Sequence, residues 1–196
     1  MKKIILTVAA VFALSFANAQ DKGSEGLASG DVILIGAFNF SSSSTGGAKT
    51  DDLKLSPGVA YMLSDNLAVI GELTISSGKT PVAAPGTEIK TSGFAVGAGV
   101  RYFLTPASKF SVSIGAQVAY GSAKTDNGTI VTKKTTEFTV PLGLHYFVSN
   151  NFAITSSWGG LNYSSNDNGG GAAEKTSKLG FSLDMSSISF GLAYKL

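Results

Sequence analysis

The sequence predicts an all-β fold, an eight-stranded antiparallel up-and-down transmembrane β-barrel. Three observations carry that prediction. One phrase recurs four times, as Gly58-Val59-Ala60-Tyr61-Met62-Leu63, Gly99-Val100-Arg101-Tyr102-Phe103-Leu104, Gly143-Leu144-His145-Tyr146-Phe147-Val148 and Gly191-Leu192-Ala193-Tyr194-Lys195-Leu196. Successive copies start 41, 44 and 48 residues apart, a period that suits two strands and a loop. Large apolar residues alternate with small or polar ones at period two, and the connections alternate between short and long.

The chain opens with a targeting pattern. Met1-Lys2-Lys3 is a positive start, Ile4 to Phe16 an apolar stretch and Ala17-Asn18-Ala19 a small-x-small cleavage site. The domain reading is a signal peptide over 1–19, a short N-terminal periplasmic segment over 20–29 and the barrel over 30–196. Removing Lys2 and Lys3 leaves 13 basic residues against 13 acidic, which argues against a nucleic-acid partner. There is no cysteine, hence no disulfide scaffold, zinc–thiolate site or lipid-modified N-terminal cysteine. With no apolar helical span after the leader, a membrane-crossing chain has to be a closed barrel, because only helices and barrels satisfy their backbone in lipid.

The strands follow in order. The first places Val32, Leu34, Phe38 and Phe40 on one face, although Ile33 and Ile35 lie on the other. The second sets Leu53, Leu55, Pro57, Val59, Tyr61 and Leu63 against Lys54, Ser56, Gly58, Ala60 and Met62. The third sets Leu67, Val69, Leu73 and Ile75 against Ala68, Ile70, Glu72 and Thr74, and the fourth runs Phe94, Val96, Ala98, Val100, Tyr102 against Gly93, Ala95, Gly97, Gly99, Arg101. The fifth and sixth alternate likewise over 110–120 and 137–148. In the seventh, Leu161 and Tyr163 take the opposite phase to Phe152, Ile154 and Trp158, with Gly159-Gly160 between. The eighth changes phase between Leu183 and Ile188, where a β-bulge near Asp184 to Ser187 is expected. Pro57 and Pro141 inside strands point to bulges or lost pairing.

A soluble sandwich also alternates, but its outer face is studded with charge. Here charged residues are 14% of the chain, and the small-residue face suits the interior of a narrow barrel. Strands of about 10–12 residues are expected to cross the apolar band. Short connections at 64–66, 105–109 and 149–151 belong on the periplasmic side, and four long polar loops at 42–51, 77–91, 122–134 and 164–177 outside. Tyr61, Tyr102, Tyr146 and Tyr194 then form a periplasmic aromatic girdle with Phe110 and Phe152.

The leader, the repeated Gly-x-x-Tyr strands and the final Ser189-Phe190-Gly191-Leu192-Ala193-Tyr194-Lys195-Leu196 resemble the small outer-membrane β-barrel proteins of Gram-negative bacteria, similar to the OmpA, OmpX and OmpW transmembrane domains. The resemblance implies residence in the outer membrane, with its lipid and the barrel-assembly machinery as partners. That family's last strand usually ends in Phe, and Leu196 stands in its place. OmpA continues into a peptidoglycan-binding domain. This chain stops at the barrel, so that activity is not expected.

Candidate chemistry lies in the lumen. The inward-facing ionisable residues are Lys54, Glu72, Arg101, Glu137, His145 and Lys195, and Gln117 adds a polar interior group. Glu72 and Arg101, about 7 Å apart in height by strand rise, are expected to form an interior ion pair. His145 is the sole histidine, and no second catalytic group accompanies it at hydrogen-bond spacing, so no enzyme is expected. Asp126-Asn127-Gly128 and Asn166-Asp167-Asn168-Gly169 read as turns rather than calcium loops. No cofactor or metal motif is present. An eight-strand barrel is filled by side chains or holds one small ligand. The expected role is therefore structural or surface-interactive, through loops whose ligand is open. A narrow channel or small-molecule carrier is the alternative, and a lipid-modifying enzyme a third class.

Overall fold

The computed structural model describes residues 26–45, 48–81, 88–170, 173–183 and 189–196. Its strands are β1 (Val32–Thr45), β2 (Ala48–Met62), β3 (Leu67–Pro81), β4 (Glu88–Phe103), β5 (Phe110–Asp126), β6 (Ile130–Phe147), β7 (Phe152–Asn166), β8 (Thr176–Ser182) and β9 (Ser189–Lys195). Each neighbouring pair is antiparallel, and β9 pairs with both β7 and β1, which closes the ring. β8 and β9 together are the eighth stave: β8 continues the pairing of β7 above β9. The result is a closed eight-stave antiparallel barrel.

The period-two pattern is obeyed on both faces. Val59, Tyr61, Val96, Tyr102, Ile114 and Val118 stand exposed on the outside, while Ala60, Met62, Ala68, Ile70, Phe103 and Phe147 are buried within. A belt of exposed aliphatic and aromatic side chains this continuous is the surface of a protein solvated by lipid. The first strand's ambiguity resolves here. Ile33 is buried in the lumen with Ile35 packed beside it, while Val32 and Leu34 take the outward phase.

The strands are 14–18 residues long from β1 to β7, longer than the membrane needs. The segments expected as long loops at 42–51, 77–91 and 122–134 are therefore largely ladder, for example Ser42↔Asp51, Lys79↔Lys90 and Thr125↔Val131. Their β-branched residues, such as Thr50, Thr80, Ile89, Thr125 and Val131, favour continued pairing over a solvated loop. The expected loops become polar hairpins that rise past the lipid. Among the described residues, the last is loop over 167–170 and 173–175.

Two short turns are built alike. Leu63 and Ser64 N–H donate to the Leu67 carbonyl, and Leu67 N–H donates to Ser64 Oγ. Val148, Ser149 and Phe152 repeat these bonds. In each turn the Asn reaches sideways. Asn66 Nδ2 donates to the Phe103 carbonyl at 2.7 Å, and Asn151 Nδ2 to the Lys195 carbonyl at 2.9 Å. A Ser-Asx-Asn turn thus ties one hairpin to the neighbouring strand end.

The irregularities fall where proline and glycine are. Pro57 keeps its pair with Gly36 on β1 but interrupts the β2–β3 ladder. Opposite Pro141 the β6–β7 register slips by one residue between Val140 and Leu142. Gly159 and Gly160 absorb the slip at φ +54° and +95°, and a Cβ on Gly160 would collide with the Val140 carbonyl. This bulge reverses the phase of β7, and the last stave follows it. Leu179 outside opposes Tyr163 above the bulge, and Leu192 outside opposes Ile154 below it. The phase change in the eighth strand is thus complementary to the Gly159-Gly160 bulge. The bulge expected at Asp184 to Ser187 lies outside the described residues.

Gly160→Val is expected to destabilise the folded barrel by on the order of 3 kcal/mol or more, from strain at positive φ plus the carbonyl clash. Gly180→Ala, where a Cβ would meet nothing within 4 Å, should be near neutral. Urea unfolding of the two variants in detergent, followed by heat-modifiable gel migration, measures the difference.

Candidate functional site

The lumen is built in layers. At the end that carries the short turns lies an apolar seal in which Leu27, Ile33, Met62, Ala68, Phe103 and Phe147 are all buried to 5% exposure or less. Leu27 comes from the N-terminal segment, which turns into the barrel mouth. Leu27 N–H donates to the Pro106 carbonyl at 2.7 Å, Ser29 N–H to Asp65 Oδ1 at 3.0 Å and Gly30 N–H to the Met62 carbonyl at 2.9 Å. Gly26 at φ +100° makes the entry turn, and a Cβ there would strike Pro106. Lys195 fastens the arrangement. Its buried Nζ donates to the Gly26 carbonyl at 2.7 Å, lies 3.9 Å from Asp31 Oδ2 and 5.9 Å from the Phe147 ring centroid. Burying the Leu27 side chain contributes about 2 kcal/mol. The segment expected simply to precede the barrel is its stopper, and residue type alone does not reveal that, because Leu27 is a single apolar residue in a polar stretch.

Above the seal is a cavity of about 110 Å³ onto which Glu72, Arg101 and His145 all face, three of the five polar interior residues expected from sequence. Glu72 and Arg101 share this cavity but form no ion pair within 4.0 Å. The register explains it: Arg101 opposes Ala68, four residues below Glu72, about 13 Å along the strand rather than the 7 Å expected. The β3–β4 ladder runs unbroken from Leu67↔Tyr102 upward, and strand sequences alone do not fix where it starts. Glu72 instead accepts a hydrogen bond from Thr74 Oγ1 at 3.4 Å, and Thr74 is joined to Ser56 at 2.9 Å.

His145 has a partner that sequence reading missed. Ser113 Oγ lies 2.8 Å from His145 Nε2, with both residues buried, and the Phe103 ring packs on the imidazole at 4.9 Å between centroids. The pair is diagonal across β5–β6: Ser113 opposes Gly143, whose missing side chain leaves room for the hydroxyl. A search along one strand does not find it. The signal is Gly143 in the repeat, two residues before His145. Ser113 is 1% exposed and, unlike His145, does not line the cavity.

The two remaining polar residues lie elsewhere. Glu137 lines a separate upper cavity of about 340 Å³ with Lys54, Thr74 and Thr135. Gln117 lies over Gly99, where a Cβ would sit 2.6 Å from its Cγ. Of the aromatic girdle, Tyr61, Tyr102 and Tyr146 are exposed at 45–47%. Tyr194 shares their outward phase between Leu34 and Phe152, but is only 9% exposed. Phe110 is exposed as expected.

The two expected turns are turns. Asp126 and Asn127 side chains accept from Gly128 and Thr129 N–H, and Asn166 and Asp167 from Asn168 and Gly169 N–H. Asp167 also accepts from Lys134 N–H at 2.8 Å, which ties the last loop to the β5–β6 hairpin. These backbone N–H bonds, from Lys134 and then Gly169, hold its carboxyl below the usual carboxylate range.

The barrel family appears in comparison as well. The model of the outer membrane protein β-barrel domain family matches residues 5–195. The chain is similar to the outer membrane protein OprG from Pseudomonas aeruginosa, at 16% identity and TM-score 0.51, covering 88% of this chain and 98% of that one. It is similar to Neisserial surface protein A at 20% identity and TM-score 0.51, covering 86% and 99%. At these identities the structures share the fold. No curated protein matches the chain in sequence.

Ser113→Ala should cost about 1–3 kcal/mol by leaving His145 unpaired, and Ser113→Ala with His145→Phe should recover part of it, as removal of both partners does at buried pairs. Double-mutant unfolding in detergent reads the coupling. The Asp167 tie is present above a carboxylate's ordinary pKa of about 4 and is lost as pH falls through its lower folded value. Protease nicking within 167–175 should therefore rise below about pH 4, and Asp167→Asn should flatten that pH dependence.

Proposed function

Because the chain belongs to the family of outer membrane protein β-barrel domains, we propose that its role is structural and interactive. In this reading it is a membrane-spanning barrel that holds polar hairpins above the outer membrane and does not conduct. The observation that carries the reading is the periplasmic seal, in which Leu27, Met62, Phe103 and Phe147 close the lumen beneath the Glu72–Arg101–His145 cavity. A path for solutes would have to open this apolar layer and displace a stopper fixed by Lys195. The leader over 1–19 belongs to the same reading, as do membrane lipid and the barrel-assembly machinery as partners. The ligand would be met by the hairpins over 42–51, 77–91 and 122–134 and the loop over 167–175. The Ser113–His145 pair acts as packing, because Ser113 is buried and does not line the cavity, and the reading contains no enzyme.

One observation favours the carrier alternative. The lumen cavity and an apolar groove of about 410 Å³ on the outer wall share Gly36, Ala37, Phe190, Gly191 and Leu192. Ala37↔Gly191 is the uppermost β1–β9 pair. Among the described residues, β1 above it pairs with β2 alone and β8 with β7 alone.

Planar-bilayer recording separates the readings. The refolded mature protein should be silent at 100 mV, a voltage worth about 2.3 kcal/mol per charge. Reproducible single-channel steps would reject the sealed barrel.

A further inference from the structure

Of the 15 basic residues in the chain, 14 are lysines and Arg101 is the only arginine. That single guanidinium does not stand on the outer surface. It is half-buried and lines the cavity of about 110 Å³ above the seal. A guanidinium keeps its charge in a protein and presents five N–H donors in a fixed fork. Taken out of water, it needs both an opposite charge and acceptors for those donors. Among the described residues the Arg101 side chain has no hydrogen-bond partner and no carboxylate within 4.0 Å.

The acids nearby do not meet this need. Among the described residues Glu72 is the only acid that lines the cavity. It sits four residues above Arg101 in the β3–β4 register and accepts from Thr74 Oγ1. It is also shared, because the charge of Lys54 acts on it as well as that of Arg101. His145 is engaged with Ser113, and Asp31 lies below with Lys195 in the stopper.

The facing wall adds hydroxyls instead. In the ring of eight staves β4 and β9 are four apart and therefore opposite each other, with β7 beside β9. Thr155 and Ser157 of β7 and Ser189 of β9 line the cavity from that side. Ser157 and Ser189 are a cross-strand pair. Thr155 opposes Gly191, where a Cβ would lie 3.0 Å from the Thr155 hydroxyl. Among the described residues none of these three hydroxyls has a hydrogen-bond partner. One fixed cation and three free hydroxyl donors thus converge on a space with room for several water-sized groups, at about 10–15 Å³ each.

We propose that this cavity is a binding site for a small planar oxyanion, of the size of acetate or nitrate. The Arg101 fork would hold two of its oxygens, and Thr155, Ser157 and Ser189 would donate to it from the facing wall. Planarity follows from the fork, which matches two oxygens in one plane, whereas a lysine would serve a spherical ion equally well. The site lies above the seal, so occupancy needs no opening of the apolar layer. The inference goes beyond the sealed-barrel reading and fails separately from it: bilayer current bears on the seal, and anion titration on the site.

The test uses the full mature barrel, folded in detergent and carrying isotope-labelled arginine, whose Nε–Hε signal belongs to Arg101 alone. Sodium acetate or sodium nitrate replaces sodium chloride at constant ionic strength. The signal should shift and saturate. At about ten times the half-saturating concentration, urea unfolding should show a folding equilibrium about tenfold more favourable than in chloride. Thr155→Val with Ser157→Ala should raise the half-saturating concentration at least about fivefold. Arg101→Lys, read by urea unfolding, should lose the preference for planar anions over chloride. A signal that does not move, or a barrel no more stable than in chloride, overturns the proposal. So does an unchanged half-saturating concentration in the hydroxyl variant, which puts the anion elsewhere. If Arg101→Lys does not fold, the titrations of wild type and of the hydroxyl variant decide. Tighter binding of acetate than of nitrate identifies a small carboxylic acid as the ligand, and the reverse order an inorganic oxyanion.

Discussion

Every backbone amide that faces lipid has to find its partner within the chain, and this constraint organises the whole molecule. Consecutive hairpins satisfy it almost automatically: β1 and β2 pair over 14 residues without interruption. Closing the ring is the harder requirement. It rests on five pairs between β1 and β9, Ile33 to Ala37 against Lys195 to Gly191. Features near that ladder serve to hold it in place. Asn151 tethers the carbonyl at the end of β9, and Lys195 binds the N-terminal segment that leads into β1. The segment leading into β1 and the end of β9 thus meet at the same residue, Lys195.

The same constraint accounts for the irregular residues. A proline removes a donor, so each one in the wall requires a local repair. At Pro57 the ladder to β1 continues while that to β3 lapses. At Pro141 the repair is a bulge made by two glycines with positive φ, which reverses the facing of the upper part of β7. The last stave then follows the reversed phase and keeps Leu179 and Phe181 outside. A defect in one strand is therefore matched in its neighbour instead of being corrected at the same point.

Inside, packing rather than chemistry governs the polar groups. Several buried polar side chains there are met by a nearby donor or acceptor. Ser113 meets His145 and Thr74 joins Glu72 to Ser56. Partnership is set by register and by small residues opposite, such as Gly143 and Gly99, which give side chains room. On the outside the order reverses, and depth in the bilayer governs which residue type stands where.

The sequence by itself determined the strand count, the facing of nearly every strand, the position of the short turns along the chain and the break at Gly159-Gly160. These are local properties, since a period of two and a Ser-Asx-Asn turn act over a few residues. It also picked out Glu72, Arg101 and His145 as lumen residues, because inward phase is legible strand by strand. Tertiary structure decided everything that depends on register between strands or on a segment folding back. It separated Glu72 from Arg101 by two more residues than expected, joined Ser113 to His145 and carried the paired hairpins well above the lipid. It placed Leu27 in the mouth. The physical reason is that alternation fixes which way a side chain points but not how high its strand sits beside the next. Height is set by turn lengths, bulges and the closure of the ring.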